Sequence, residues 1–174
     1  MTGVSWKAEC PVGLDDLSLL DVPHIGFDNT VHRGQLVVAK RLAPAFLSAF
    51  RSMYDARFRI EKIRLIDEYG AVDDASMADN NTSAFNCRKT TGGTNWSQHS
   101  YGNAIDINPV QNPYVKGAIV LPPAGEPYRT RDGRKVGVIS SGGPVVQAFD
   151  GLRWGWGGRW TSFQDYQHFS ENGR

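Results

Sequence analysis

The chain has 174 residues, a hydrophobic content of 40%, a charged content of 21% and a net charge of +1. These values describe an ordinary soluble globular protein, and they give no electrostatic reason to expect a nucleic-acid partner or an anionic membrane. No apolar stretch approaches the roughly 20 residues needed to cross a bilayer, and the first residues lack the basic region and apolar run of a secretion signal. We therefore expect a monomer with one domain over residues 1–174, and no membrane or nucleic-acid partner.

The N-terminal part of the chain changes character near residue 26. The first 25 residues lack strong periodicity, which predicts an irregular N-terminal arm. A hairpin is expected over 27–38, with turn candidates at Asp28-Asn29 and Arg33-Gly34. Apolar residues then recur at helical spacing, and this pattern predicts an amphipathic helix over about 40–57.

The central segments are shorter and more polar. Residues 60–66 are apolar enough for a strand, and the polar stretch 67–81 predicts a loop with a short helical turn. An extended segment is expected over 85–88. The glycine-containing stretch 90–95 is predicted to be flexible, as a movable rim of a cleft.

The C-terminal half predicts further short elements. Strands are expected over 118–121 and 137–139, and a short helix over 144–152. A segment dense in tryptophan and glycine follows at 154–160. Because strands and helices do not alternate regularly, the fold class predicted is α+β, with a small antiparallel sheet flanked by helices and a single zinc site in a cleft.

The chain has two cysteines, Cys10 and Cys87, which are too few for a disulfide scaffold. They either pair, which would tie the N-terminal arm to the segment before Arg88, or remain free buried thiols. The sequence leaves both alternatives open, because neither the compartment nor the geometry can be deduced from it.

Two histidines and two aspartates suggest a catalytic metal site. His99, Asp106 and His168 offer two imidazoles and a carboxylate, a ligand set that suits zinc. Three protein ligands leave the fourth position open, which is typical of catalytic zinc rather than structural zinc. A free carboxylate is then needed to take a proton from water, and Asp165 is placed to supply it.

Local patterns support this interpretation. Residues 104–108 alternate, so Ile105 and Ile107 are expected to face the core while Asp106 and Asn108 face a cleft. Asp165 and His168 are three residues apart, so on a helical turn they would share one face.

Three motifs resemble the M15 zinc peptidases, which include D-alanyl-D-alanine carboxypeptidases and L-alanyl-D-glutamate endopeptidases of bacterial cell-wall peptide. They are S-x-H-x-x-G-x-A-x-D at 97–106, W-G-G-x-W at 156–160 and D-Y-x-H at 165–168. The stretches 80–88 and 106–114 are also similar to that family. The resemblance extends over roughly residues 30–170, and the aspartate at position 165 fits the branch that includes phage endolysins.

The resemblance implies a role for each site residue. His99, Asp106 and His168 would bind Zn²⁺, Asp165 would be the general base, and Arg88 would polarise the substrate carbonyl. For Arg88 the alternative is a surface cation or a structural ion pair with Asp67 or Glu68.

Three further residues are candidates for orienting the metal ligands. Ser97 and Asn108 are expected to fix the orientation of an imidazole or a carboxylate. Trp156 either packs in the core beside a glycine-rich bend or lines the cleft and orients the ligands.

The function that the resemblance implies is zinc-dependent hydrolysis of a peptidoglycan stem peptide, with cleavage between L-alanine and D-glutamate favoured. The alternatives are a D-alanyl-D-alanine carboxypeptidase, a zinc-holding binding module without catalysis, and a peptidase of other substrates. Such an enzyme would act at the bacterial cell wall. The missing secretion signal is consistent with a phage lysin released through a holin, or with a chain from which a signal has been trimmed.

Overall fold

A computed structural model describes residues 1–90, 92–132 and 134–174. Helices and short strands alternate irregularly along these residues, which confirms the α+β class. The predicted flexible stretch 90–95 includes Thr91, which lies outside the described residues. Within the part of the chain that is described, no helix has the length and apolar character needed to cross a membrane.

The described residues form three α-helices and ten β-strands. The helices are α1 (Ala43–Asp55), α2 (Asp73–Ala78) and α3 (Pro144–Asp150). The strands of the N-terminal half are β1 (Leu17–Ile25), β2 (Val31–Ala39), β3 (Lys62–Ile63) and β4 (Asn81–Thr82). Those of the C-terminal half are β5 (Ala104–Asp106), β6 (Tyr114–Lys116), β7 (Ile119–Leu121), β8 (Gly155–Trp156), β9 (Gln164–Asp165) and β10 (His168–Ser170).

These strands form several small sheets instead of the one antiparallel sheet predicted. Across the described ranges, β1–β2, β5–β10–β8 and β7–β6–β9 are antiparallel, whereas β3–β4 is parallel. The strand predicted over 60–66 is reduced to β3, and 137–139 forms no strand. Most of these strands have only two or three residues, which is too short for an alternating apolar pattern to be recognised.

The N-terminal hairpin is longer than predicted. Residues 17–25, which we expected in an irregular arm, form β1 and pair antiparallel with β2 from Leu17↔Ala39 to Ile25↔Val31. Pro23 lies on the exposed face of β1, and it is tolerated because a two-stranded sheet consists of edge strands. The predicted turn at Asp28-Asn29 is confirmed, whereas Arg33-Gly34 lies inside β2.

The core packs the hairpin against α1 and α3. The apolar face of α1 is buried, as the helical spacing predicts, and Pro44 lies in the first turn. Phe46 is fully buried and meets the Trp154 ring edge to face, with ring centroids 5.1 Å apart. Phe149 of α3 stacks on Phe169 of β10 at 4.4 Å. This packing holds β10 against the core and thereby fixes the sheet that carries the site.

Cys10 and Cys87 form a disulfide, which resolves the alternative left open by the sequence. The bond joins the N-terminal segment to the residue before Arg88. Cys87 is therefore neither a nucleophile nor a metal ligand.

Candidate metal centre

Three buried side chains converge at one point. His99 Nε2 lies 3.2 Å from Asp106 Oδ2 and 3.3 Å from His168 Nδ1, and His168 Nδ1 lies 3.0 Å from Asp106 Oδ1. The three side chains are each at most 8% exposed. The structure thus brings together the three ligands that the sequence proposes, and their ligand atoms lie within 4.8 Å of one another.

Strand register places two of the ligands. His168 of β10 pairs directly with Asp106 of β5 in the antiparallel ladder. Directly opposite residues project from the same face of a sheet with their Cβ atoms about 5 Å apart. The carboxylate and the imidazole therefore meet without any special loop conformation.

A single 3₁₀ turn places the third ligand. His99 lies in the turn Gln98–Tyr101, and Ser97 at its start accepts a hydrogen bond from the His99 backbone N–H at 3.3 Å. Gly102 ends the turn with a φ of +67°. A side chain would not fit there, because a Cβ on Gly102 would lie 2.4 Å from the Ala39 backbone nitrogen. The turn thus packs directly against the end of β2.

Backbone carbonyls orient both imidazoles. His99 Nδ1 donates to the Ala84 carbonyl at 2.6 Å, and His168 Nε2 donates to the Arg174 carbonyl at 3.2 Å. Each ring therefore presents its other nitrogen, with a lone pair, toward the carboxylate of Asp106. Three electron-pair donors facing one another repel unless a cation or proton lies between them, and backbone-anchored imidazoles are typical of metal sites. The residues present therefore fit zinc.

The electrostatics of the trio favour a charged carboxylate. Burial opposes ionisation of Asp106, but the imidazoles of His99 and His168 outweigh it and hold the pKa of Asp106 below its ordinary value. Burial favours neutral His168, yet the hydrogen bond and charge of Asp106 raise the pKa of His168. The pocket thus stabilises positive charge next to the Asp106 carboxylate.

Asp165 lies beside the trio, but not on a helical turn. It ends β9, whereas His168 begins β10 in a different sheet, so the predicted shared helical face is wrong. Among the described residues its enclosed Oδ1 has no hydrogen-bond partner. Burial and the negative charge of Asp106 raise the pKa of Asp165 to about 7.

The W-G-G segment brings the chain close to Asp165. A Cβ on Gly157 would lie 2.5 Å from the Asp165 carbonyl oxygen, and one on Gly158 would lie within 2.4 Å of two Trp156 ring atoms. The two glycines are therefore required for close packing. The indole N–H of Trp156 donates to the Tyr166 carbonyl at 2.9 Å, and its ring packs on Phe169.

The predicted support residues do not all contact ligands. Asn108 accepts from the Glu61 backbone N–H and donates to the carbonyls of Arg59 and Gly137, so it joins loops and does not contact a ligand side chain. Trp160, rather than Trp156, has its ring centroid 5.6 Å from that of His168.

Arg88 is held next to the His99 turn. Its backbone carbonyl accepts from the Ser97 N–H, and its guanidinium Nη2 pairs with Asp73 Oδ2 at 2.7 Å. The ion pair is therefore with Asp73 of α2, not with Asp67 or Glu68. Within the described ranges, the buried Nε of Arg88 has no partner. Arg88 Nη1 donates to the Lys89 carbonyl at 3.3 Å, so the guanidinium is engaged at two of its nitrogens.

Some groups that shape the site could not be found from sequence. The Ala84 and Arg174 carbonyls act through the backbone, so no side-chain signal reveals them. Asp73 could have been suspected, since it is an acidic residue at the start of a helix, but its partner is 15 positions away.

The fold and its converging ligands define a small α+β protein with a candidate metal centre. Residues 91–171, a little under half of the chain, match the M15 peptidase family model described as D-alanyl-D-alanine carboxypeptidase. This match supports the chain as an M15-family peptidase and confirms the resemblance that the motifs indicate. The ligands and Asp165 lie inside the matched segment, whereas Arg88 precedes it. No curated protein and no solved structure matches the chain significantly.

Proposed function

We propose that this protein is a zinc-dependent peptidase that hydrolyses a peptide bond in bacterial peptidoglycan stem peptides. The observation that carries the proposal is the convergence of His99 Nε2, Asp106 and His168 Nδ1. Asp165 is near enough for the negative charge of Asp106 to raise its pKa, and its Oδ1 has no partner among the described residues. All four residues lie in the segment that matches a peptidase family. Such an enzyme acts at the cell wall.

His99, Asp106 and His168 would hold the zinc ion. Bound zinc supplies Lewis acidity, which lowers the pKa of water from about 15.7 toward 7. Asp165 accepts the proton from the attacking water and delivers it to the departing amine. A positioned proton-transfer group of this kind increases the reaction rate by about 10²–10⁴-fold. The carboxylate suits this task because its enclosed oxygen makes no competing hydrogen bond within the described chain.

Arg88 is the proposed electrophilic group. Attack on the carbonyl places negative charge on its oxygen, and a preorganised donor stabilises that charge. Asp73 pairs with Nη2 and the Lys89 carbonyl accepts from Nη1, which together fix the orientation of the guanidinium, and the buried Nε has no partner among the described residues. The short backbone contacts of Arg88 with Ser97 and Ser100 keep this residue beside the His99 turn.

We favour cleavage between L-alanine and D-glutamate. A carboxypeptidase needs a cation that is free to bind the terminal carboxylate of its substrate. Arg131, which covers the Tyr166 ring at 4.1 Å, donates instead to oxygens of Gln111, Asn112 and Ile139. The second candidate is a D-alanyl-D-alanine carboxypeptidase, because that is the description of the matching family.

Digestion of purified peptidoglycan tests the proposal. The zinc-loaded protein should release fragments whose masses show a free L-alanine carboxyl group, and a chelator should stop the release. Asp165→Asn should lower the rate by at least about 100-fold while zinc binding persists. Loss of terminal D-alanine alone would support the carboxypeptidase. Zinc binding without any cleavage would contradict the peptidase and support a binding module.

A further inference from the structure

A pocket lies beside the His99 turn and is lined in part by residues of that turn. It has a volume of about 460 Å³, within the range of small-molecule sites. Its lining includes Lys89, Asn95, Trp96, Gln98, Tyr101 and Asn103. None of these residues has a role in the proposed hydrolysis, so the pocket is separate from the metal centre.

The position of the pocket is set by β5 and the His99 turn. Gln98 directly precedes His99, and Asn103 directly precedes β5. Asn103 is three residues before Asp106, which corresponds to roughly 10 Å along a strand. A group bound in the pocket would therefore lie on the order of 10 Å from a peptide bond at the metal centre.

The side chains that line the pocket are rich in carboxamides and aromatic rings. Three carboxamides come from Asn95, Gln98 and Asn103, and two aromatic rings come from Trp96 and Tyr101. Within the described residues, no acidic side chain lines the pocket. Asn103 is 9% exposed, and its Oδ1 makes no hydrogen bond to any described residue.

Lys89, the cationic residue of the pocket lining, already contacts an aromatic ring. Lys89 Nζ lies 3.5 Å from the centroid of the Trp96 ring, a cation–π contact that covers one face of the indole. An anionic ligand would have to displace this contact, and an apolar ligand would leave the carboxamides unpaired. A neutral ligand rich in hydroxyl and amide groups, with an apolar face for an aromatic ring, fits both conditions.

We propose that this pocket binds an N-acetylated amino sugar, namely the glycan unit to which a wall stem peptide is attached. This inference rests on the proposed function, since only a wall substrate presents a sugar near the scissile bond. The carboxamides pair with the sugar hydroxyls and the acetamido group. The aromatic rings contact the apolar face of the sugar ring.

Titration with tri-N-acetylchitotriose, followed by the indole N–H resonances of the five tryptophans, tests the pocket directly. The Trp96 resonance should shift, and maltotriose, which lacks acetamido groups, should shift it little. Trp96→Ala should weaken the binding by about tenfold or more. Gln98→Ala should also weaken it, and this smaller change tests the pocket if Trp96→Ala fails to fold.

The metal ligands separate this proposal from the proposed function. His99→Gln removes a zinc ligand and should abolish cleavage, but it should leave binding of the oligosaccharide in place. Sugar binding by a zinc-loaded wild-type protein that cleaves no peptidoglycan would support the pocket and refute the hydrolysis. An unshifted Trp96 resonance at millimolar sugar, or equal binding by Gln98→Ala and the wild type, would overturn the sugar site.

Discussion

His168 and Asp106 are direct partners across the β5–β10 ladder, and their side chains meet at 3.0 Å. Because side chains alternate between the faces of a strand, a shift of one residue in this register would separate the two ligands. The candidate metal centre therefore depends on the packing that fixes the register of β10. Its integrity can be tested at residues that never touch the metal.

Gly102 is the first such residue. A Cβ there would lie 2.4 Å from the Ala39 nitrogen and 2.9 Å from the Val38 carbonyl carbon. Gly70 ends another 3₁₀ turn with a similar positive φ, but a Cβ there meets nothing within 4 Å. Gly70→Ala should therefore lower the free energy of unfolding by about 1–2 kcal/mol, because only the left-handed conformation is unfavourable for alanine there. Gly102→Ala should cost at least about 2 kcal/mol more in urea unfolding. Equal losses would contradict the packing of the His99 turn against β2.

The Arg174 carbonyl is a second group that supports the metal centre without contacting the metal. It accepts from His168 Nε2 and, at 2.8 Å, from the Ser170 hydroxyl. Deleting residue 174 removes this acceptor, and zinc affinity should fall by about tenfold or more, as for other groups that orient a ligand histidine. Arg174→Ala keeps the carbonyl and serves as the matched control. Calorimetric titration measures both, and an unchanged affinity in the deletion variant would show that this contact does not orient His168.

The ion pair between Asp73 and Arg88 should act on catalysis more than on stability. Both side chains are about one-fifth to one-quarter exposed, so solvent weakens their attraction. Asp73→Asn should lower kcat about tenfold by releasing the guanidinium, with a loss of about 1 kcal/mol or less in the free energy of unfolding. Asp74→Asn changes the exposed neighbour and should leave kcat unchanged. Equal kcat values for the two variants would argue against a positioned Arg88.

His24 should make stability depend on pH. Burial, followed by the charge of His32, lowers the pKa of His24 from 6.5 to about 4, while a hydrogen bond with the Val22 backbone and the charge of Asp28 oppose the shift. Below pH 6.5 His24 is protonated in the unfolded chain but stays neutral in the folded protein. The contribution of His24 to the free energy of unfolding is therefore fully present above pH 6.5 and is lost as the pH falls toward 4. Between pH 7 and pH 5, the free energy of unfolding of His24→Phe should fall by about 1–2 kcal/mol less than that of the wild type. Parallel losses in the two proteins would refute this assignment.

The sequence predicted the elements that carry a long periodic pattern. The buried face of α1, the helix α3 and the core positions Ile105 and Ile107 were predicted correctly because local alternation or helical spacing encodes them. β1 was missed because Pro23 is unfavourable in a strand and because His24 occupies a buried position where an apolar residue is expected. In the hairpin Pro23 lies on the exposed face of an edge strand, where a missing N–H is tolerated.

The candidate site was predicted from chemistry, whereas its geometry was not. The types and motif spacing of His99, Asp106, Asp165 and His168 pointed to one centre. Their placement depends on pairings between distant segments, such as β5 with β10, and on carbonyls that carry no sequence signal. Asp165 and His168 were assigned to one helical turn because a spacing of three suits a helix, but two short strands place them in separate sheets.

Zinc binding by the wild-type chain and by His168→Ala is the most direct test of the metal centre. Metal analysis after dialysis should find one zinc per wild-type chain and little zinc in His168→Ala. Excess zinc should raise the melting temperature of the wild type by several degrees, since a ligand at about 100 times its Kd adds about 2.7 kcal/mol. Wild-type protein that retains no zinc, or a variant that retains as much as the wild type, would contradict the account.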